Sequence, residues 1–197
     1  MKIVILPKNE DEMHLWESKG QTVLSELNSE INSFHDVPTK RKLKESEYGA
    51  GASWPSIILE IIEISGIILI GIPALHKKIR ETLSEWKEIK ANVDKLLCWL
   101  SSEKRVSNKS IDIAFLHVLE HLSKKTNVLE LEPIEAEEIL GLSGFIDPSF
   151  ENAEIVYYSF KFRKDNEKLF SVICDGELNI HSDVELHLDP YQRFLEK

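Results

Sequence analysis

Apolar residues recur at two different spacings along this chain, and the change of spacing divides it. "KIVILP" (2–7) reads as a short buried strand ended by Pro7. Over 9–34, Trp16, Val23, Leu24, Leu27, Ile31 and Phe34 stand three and four apart, which makes one face of a helix. Asn9 or Asp11 suits its N-cap, acidic residues fill its first turn, and Gly20 marks a break. Residues 35–55 have no clean period and read as a connection with at most one strand. "SIILEIIEISGIILIGIPAL" (56–75) is the most apolar stretch. Its charge-free run, Ile64 to Leu75, is shorter than the roughly 20 residues a membrane span needs. The expectation is therefore a buried helix with Glu60 and Glu63 on one edge, and membrane association is the alternative. Over 74–103, Ile79, Trp86, Val93 and Leu100 stand seven apart, and Ile89 and Leu96 fill the intervening position. This predicts one long amphipathic helix packed within the chain, with a homodimer seam as the alternative. Ser107 or Ser110 caps a further helix running to about Lys125.

Beyond residue 126 the spacing shortens. A short strand is expected at 128–132 and a short helix at 134–140, stopped by Gly141 and Gly144. "EIVYYSFKFR" (154–163) then alternates, "LFSVIC" (169–174) follows, and Asp175-Gly176 signals a two-residue hairpin. "ELNIH" (177–181) and "VELHL" (184–188) add further strands, and "PYQRFLEK" a last helical turn. The fold class expected is α+β: a helical N-terminal part with one short strand, then a C-terminal antiparallel β-meander. The two parts are 1–126 and 127–197.

Charge sharpens that division. Residues 1–126 hold 18 Lys/Arg and 18 Asp/Glu, whereas 127–197 hold 6 and 16, so the net −10 arises in the second part alone. Such a surface repels phosphate backbones and attracts basic proteins, so nucleic acid is not expected on it. Five glutamates, Glu130, Glu132, Glu135, Glu137 and Glu138, fall within nine residues and are the expected contacts of a basic protein partner. The basic cluster Lys40, Arg41, Lys42 and Lys44 is interrupted by Glu45 and Glu47 and has no aromatic ladder for nucleic acid. The start shows no basic region followed by an apolar one, as a signal peptide would. Cys98 and Cys174 are far apart with no metal spacing, which suits a reducing compartment, the cytoplasm. Cys98, between Leu97 and Trp99, reads as core filler.

His117-Val118-Leu119-Glu120-His121 spells H-x-x-E-H. On a helix this pattern can put two imidazoles on zinc and a glutamate beside a bound water. These five residues resemble the inverzincin signature of pitrilysin-type metallopeptidases. The resemblance would make His117 and His121 ligands and Glu120 the base of a zinc hydrolase. At about 100° per residue, however, Ile111, Phe115, Val118, Leu119 and Leu122 form the core stripe. Both histidines then lie roughly opposite it, and a solvent-facing helix is the plainer expectation. "HSDVELH" (181–187) sets His181, Asp183, Glu185 and His187 on one strand face, as a metal site or as an exposed polar edge. No phosphate-binding loop or nucleophile elbow occurs, and no catalytic residue, metal or cofactor is expected.

"KIVILP", "GAGASWPSIILEIIE" and "KKIRETLSEWKEI", in that order within residues 1–90, resemble small proteins of bacterial conflict systems such as the effector-associated constant components. That resemblance implies a non-catalytic role beside a toxin or effector. Together with the charge division it makes a cytoplasmic interaction protein, such as a toxin-neutralising immunity protein, the leading expectation.

Overall fold

The computed structural model describes residues 1–48, 54–64, 66–68, 71–81, 83–103, 105–139, 156–165 and 167–188. Gly141, Gly144 and the expected last helical turn lie outside them. Among the described residues there are two antiparallel sheets and four α-helices, so the class is α+β with a C-terminal antiparallel sheet.

The front sheet contains β1 (Lys2–Leu6), β2 (Thr39–Tyr48), β3 (Trp54–Ile64), β4 (Ile67–Ile68) and β5 (Arg105–Lys109). Its order is β2-β3-β1-β5, with β4 paired to β3. The front part thus carries five strands where one was expected. The Ile-rich stretch is chiefly strand β3, not a helix. Alternation decides the outcome: Ile57, Leu59 and Ile61 are buried on the side of Ile3 and Ile5, while Ile58 and Glu60 face the other way. β-branched side chains suit this pleated surface. Glu60 and Glu63 do not edge a helix but form cross-strand ion pairs with Lys44 (3.2 Å) and Lys40 (2.7 Å). Lys44 holds the Glu60 carboxyl below its ordinary range. Two of the four cations of the basic cluster, Lys40 and Lys44, are paired across the hairpin in this way.

Helix α1 (Glu10–Ser33) begins at Asn9, whose side chain accepts the Glu12 amide at 2.8 Å. It buries Trp16, Val23, Leu27 and Ile31 and packs on β2 and β3. The break expected near Gly20 falls at Lys19, where the backbone leaves helical values (φ −137°, ψ 34°). At its other end Arg41 donates to the Ile31 carbonyl and the Asn32 side chain, placing a cation where the helix dipole is negative. Arg41→Ala is expected to cost about 1–2 kcal/mol of stability by urea unfolding, with Arg41→Lys recovering part of it.

The single helix expected over 74–103 is two, α2 (Ile72–Glu81) and α3 (Leu83–Glu103). Trp86, Ile89, Val93, Leu96 and Leu100 are buried in the chain's own core. Cys98 is exposed rather than core filler. Helix α4 (Ile111–Ser123) packs on α2, α3 and the back sheet. That sheet, in order, is β6 (Leu131–Ile139), β7 (Tyr157–Lys164), β8 (Lys168–Asp175) and β9 (Ile180–His187). Phe115 of α4 sits 5.9 Å and 5.7 Å, ring to ring, from Phe160 and Phe162 of β7. One connected buried cluster therefore includes residues on both sides of position 126.

Two details of the back sheet differ from expectation. β9 is one continuous strand where two short ones were expected. Asp175-Gly176 opens a longer loop instead of a two-residue turn. Within it the Asp175 carboxylate accepts the Glu177 and Asn179 amides, both at 2.9 Å, and Leu178 takes the positive φ of 76°. Cys174 beside it is fully buried, which pushes its thiol up to about 12.

Candidate interaction surface

The glutamate-rich segment is not a strand followed by a helix. Val128–Glu130 forms one 3-10 turn, and the next nine residues are the single strand β6, an edge of the back sheet among the described residues. Glutamate favours helices in isolation, but here pairing with β7 decides. Glu132, Glu135 and Glu137 stand opposite Arg163, Lys161 and Ser159, on the face turned away from buried Phe160 and Phe162. Glu138 is opposite Tyr158, on the other face, and is exposed. Pro133 and a bulge between Pro133 and Glu135 interrupt the ladder, and exposed charge with such irregularity is how edges resist indiscriminate pairing.

Local cations claim two of the five carboxylates. Glu130 pairs with Lys164 at 2.8 Å and also accepts from Asn127; Lys164 and then Asn127 hold its carboxyl below the ordinary range. Glu135 pairs with Lys161 at 2.8 Å and raises the lysine in turn. Both lysines belong to β7, not to residues 1–126. Glu132, Glu137 and Glu138 are exposed and have no ion pair among the described residues.

Across the same face the character changes strand by strand. One rung reads Glu132, Arg163, Leu169, Leu186 from β6 to β9, and the next reads Glu135, Lys161, Ser171, Val184. The face is acidic at one edge, basic on the next strand and apolar at the far edge, where Val184 and Leu186 are exposed. Glu132, Glu135 and Glu137 share this face, whereas Glu138 lies on the other and Glu130 in the preceding turn.

The H-x-x-E-H helix is not solvent-facing. Ile113, Ala114, Phe115, Leu116, Val118, Leu119 and Leu122 are all buried, because α3 and β9 cover the side opposite the main stripe. His121 and Lys125 both engage the Asp183 carboxylate of β9. Lys90 of α3 lies between Asp94 and Glu120, 3.1 Å from the latter. His117 is half-buried, and burial, then Lys90, lower its pKa. The assigned base, Glu120, and one assigned ligand, His121, are therefore engaged by Lys90 and Asp183, whereas His117 has no ion pair among the described residues. Among the described residues, no three His, Cys, Asp or Glu side chains converge as metal ligands would.

Strand β9 presents Asp183 and Glu185 opposite Val172 and Phe170, so its polar side faces inward. His181 bonds Asp175 at 2.7 Å, and Glu185 pairs with Lys168 at 2.6 Å. Burial pushes the Asp183 carboxyl up, but Lys125 and His121 outweigh it and leave it below the ordinary range. A carboxyl depressed on folding stabilises above its unfolded pKa, and that stability is lost as pH falls through the folded value. Asp183→Asn is expected to cost about 1–2 kcal/mol at pH 7. The variant should also lose less stability than the wild type as pH drops below about 4, followed by thermal unfolding.

Among the described residues no helix is long and apolar enough to cross a membrane. No protein-family model, curated protein or solved structure matches this chain.

Proposed function

We propose that this is a non-catalytic interaction protein whose acidic back sheet binds a basic protein partner, as a toxin-neutralising immunity protein does. The observation that carries the reading is the exposure of Glu132, Glu137 and Glu138 on an edge strand, with no cation paired to them among the described residues. Exposed like charges on one strand raise the encounter rate with a basic surface and repel acidic ones. The same repulsion opposes pairing of β6 with β6 of a second copy. The resemblance of residues 1–90 to conflict-system proteins supports a toxin or effector as that partner. Two free cysteines, one exposed and one buried, suit a reducing cytoplasm.

Capture on the immobilised full-length chain tests the proposal. Partners held at low salt should be basic, should be released by salt within a few tenths molar, and should be lost with the triple variant Glu132→Gln, Glu137→Gln and Glu138→Gln. Partners that are acidic, or that stay bound at high salt and to the triple variant, would sink it.

A further inference from the structure

A cleft of about 560 Å³ lies between α1 and the ends of β2 and β3 that pair with each other. Its size falls within the range of small-molecule pockets. Trp16 and Val23 of α1 and Ile57 of β3, all buried, supply its apolar lining. Glu17, Gln21 and Glu45 supply its charge and polarity, and no lysine or arginine lines it among the described residues.

Glu45 is the informative group. Strand alternation sends Lys40 and Lys44 to the far face of β2, where Glu63 and Glu60 neutralise them. The near face faces α1, and there Glu45 has only the neutral amide of Gln21, which donates to its Oε1 at 2.8 Å. No cation pairs with Glu45 among the described residues. The helix accommodates the carboxylate through Gly20: a Cβ there would stand 3.2 Å from Glu45 Oε1. The kink at Lys19 lies beside it. Ser56 also borders the cleft, but strand alternation turns its buried side chain to the face of Lys44, away from Glu45.

We propose that this cleft binds a small organic cation, an amine carried on an apolar body. Its ammonium sits on Glu45 with Glu17 nearby, and its body lies against Trp16 and Ile57. A carboxylate beside an indole is the combination that favours an ammonium over a neutral or anionic isostere. This site lies on the front sheet and does not depend on the acidic back sheet.

The test is a titration of the full-length chain with phenethylamine and with 3-phenylpropionate, followed in proton–nitrogen correlation spectra. Phenethylamine should give saturable shifts at the Trp16 indole and the Gly20 and Gln21 amides in the millimolar range, and 3-phenylpropionate none. Glu45→Gln, at an exposed position, should fold normally and weaken binding about tenfold. Gly20→Ala should also weaken it, because its methyl displaces the carboxylate. The proposal is overturned if the amine gives no saturable shift up to about 20 mM, if the carboxylate binds as well, or if Glu45→Gln binds the amine like the wild type.

Discussion

Replacing Phe115 by alanine is expected to cost about 3–5 kcal/mol, a large share of the stability of a chain this size. The side chain is fully buried on α4, and its ring meets Phe160 and Phe162 of β7 and, at 6.4 Å, His76 of α2. Truncation removes both the transferred apolar surface and the packing on either side of the void. The site belongs to the cluster that joins the front elements to the back sheet, so both should weaken together. All four tryptophans, Trp16, Trp54, Trp86 and Trp99, precede residue 126, and their fluorescence therefore reports on the front part alone. Phe160→Ala, on β7, should nevertheless shift the tryptophan-detected urea midpoint by a similar amount. Circular dichroism should follow the same single transition. A Phe115→Ala cost below about 1 kcal/mol, or a tryptophan transition indifferent to Phe160→Ala, would contradict a shared core.

Local pattern made some of this architecture legible. Helix α1 was readable because Trp16, Val23, Leu27 and Ile31 keep helical spacing behind a capping asparagine. Strands β7 and β8 were readable because Tyr158, Phe160 and Phe162, then Phe170 and Val172, alternate with polar residues. The β2–β3 hairpin was not. Ile57 to Ile64 is apolar on both faces, and such a run fits a buried helix as well as a strand. What settles it is the pairing of β3 with β1 and β2, which buries Ile57, Leu59 and Ile61 on one face and which no local window contains. The glutamate-rich strand was misread as part helix for the related reason that its conformation comes from β7, about 25 residues away. For the candidate surface, the cluster of five glutamates was visible in the spelling, whereas the lysines that neutralise Glu130 and Glu135 were not. The helical wheel of α4 likewise placed His117 and His121 away from the main stripe. It carried no sign that α3 and β9 would cover that side.

Neutralising three carboxylates on β6 is the second large effect expected. Glu132→Gln, Glu137→Gln and Glu138→Gln change charge with little change of shape. At exposed positions without ion pairs, each should move stability by no more than about 0.5 kcal/mol. The association rate with a basic partner, in contrast, depends on the summed field at encounter. Losing three negative charges from one edge strand should slow it about tenfold at low ionic strength. Dissociation should change less, because rim charges act mainly before contact. Glu10→Gln, Asp11→Asn and Glu26→Gln, exposed on α1, make the same change of net charge at another place and serve as the control. A local acidic surface predicts that the two triple variants differ, whereas a nonspecific effect of net charge predicts that they agree.

The most direct measurement is the association rate constant of the wild type and both triple variants with a captured basic partner, as a function of ionic strength. The account predicts a steep fall with salt for the wild type and the α1 variant, and a slower, shallower dependence for the β6 variant. If all three curves coincide, or if none responds to salt, the acidic strand does not steer the partner and the proposed function is wrong.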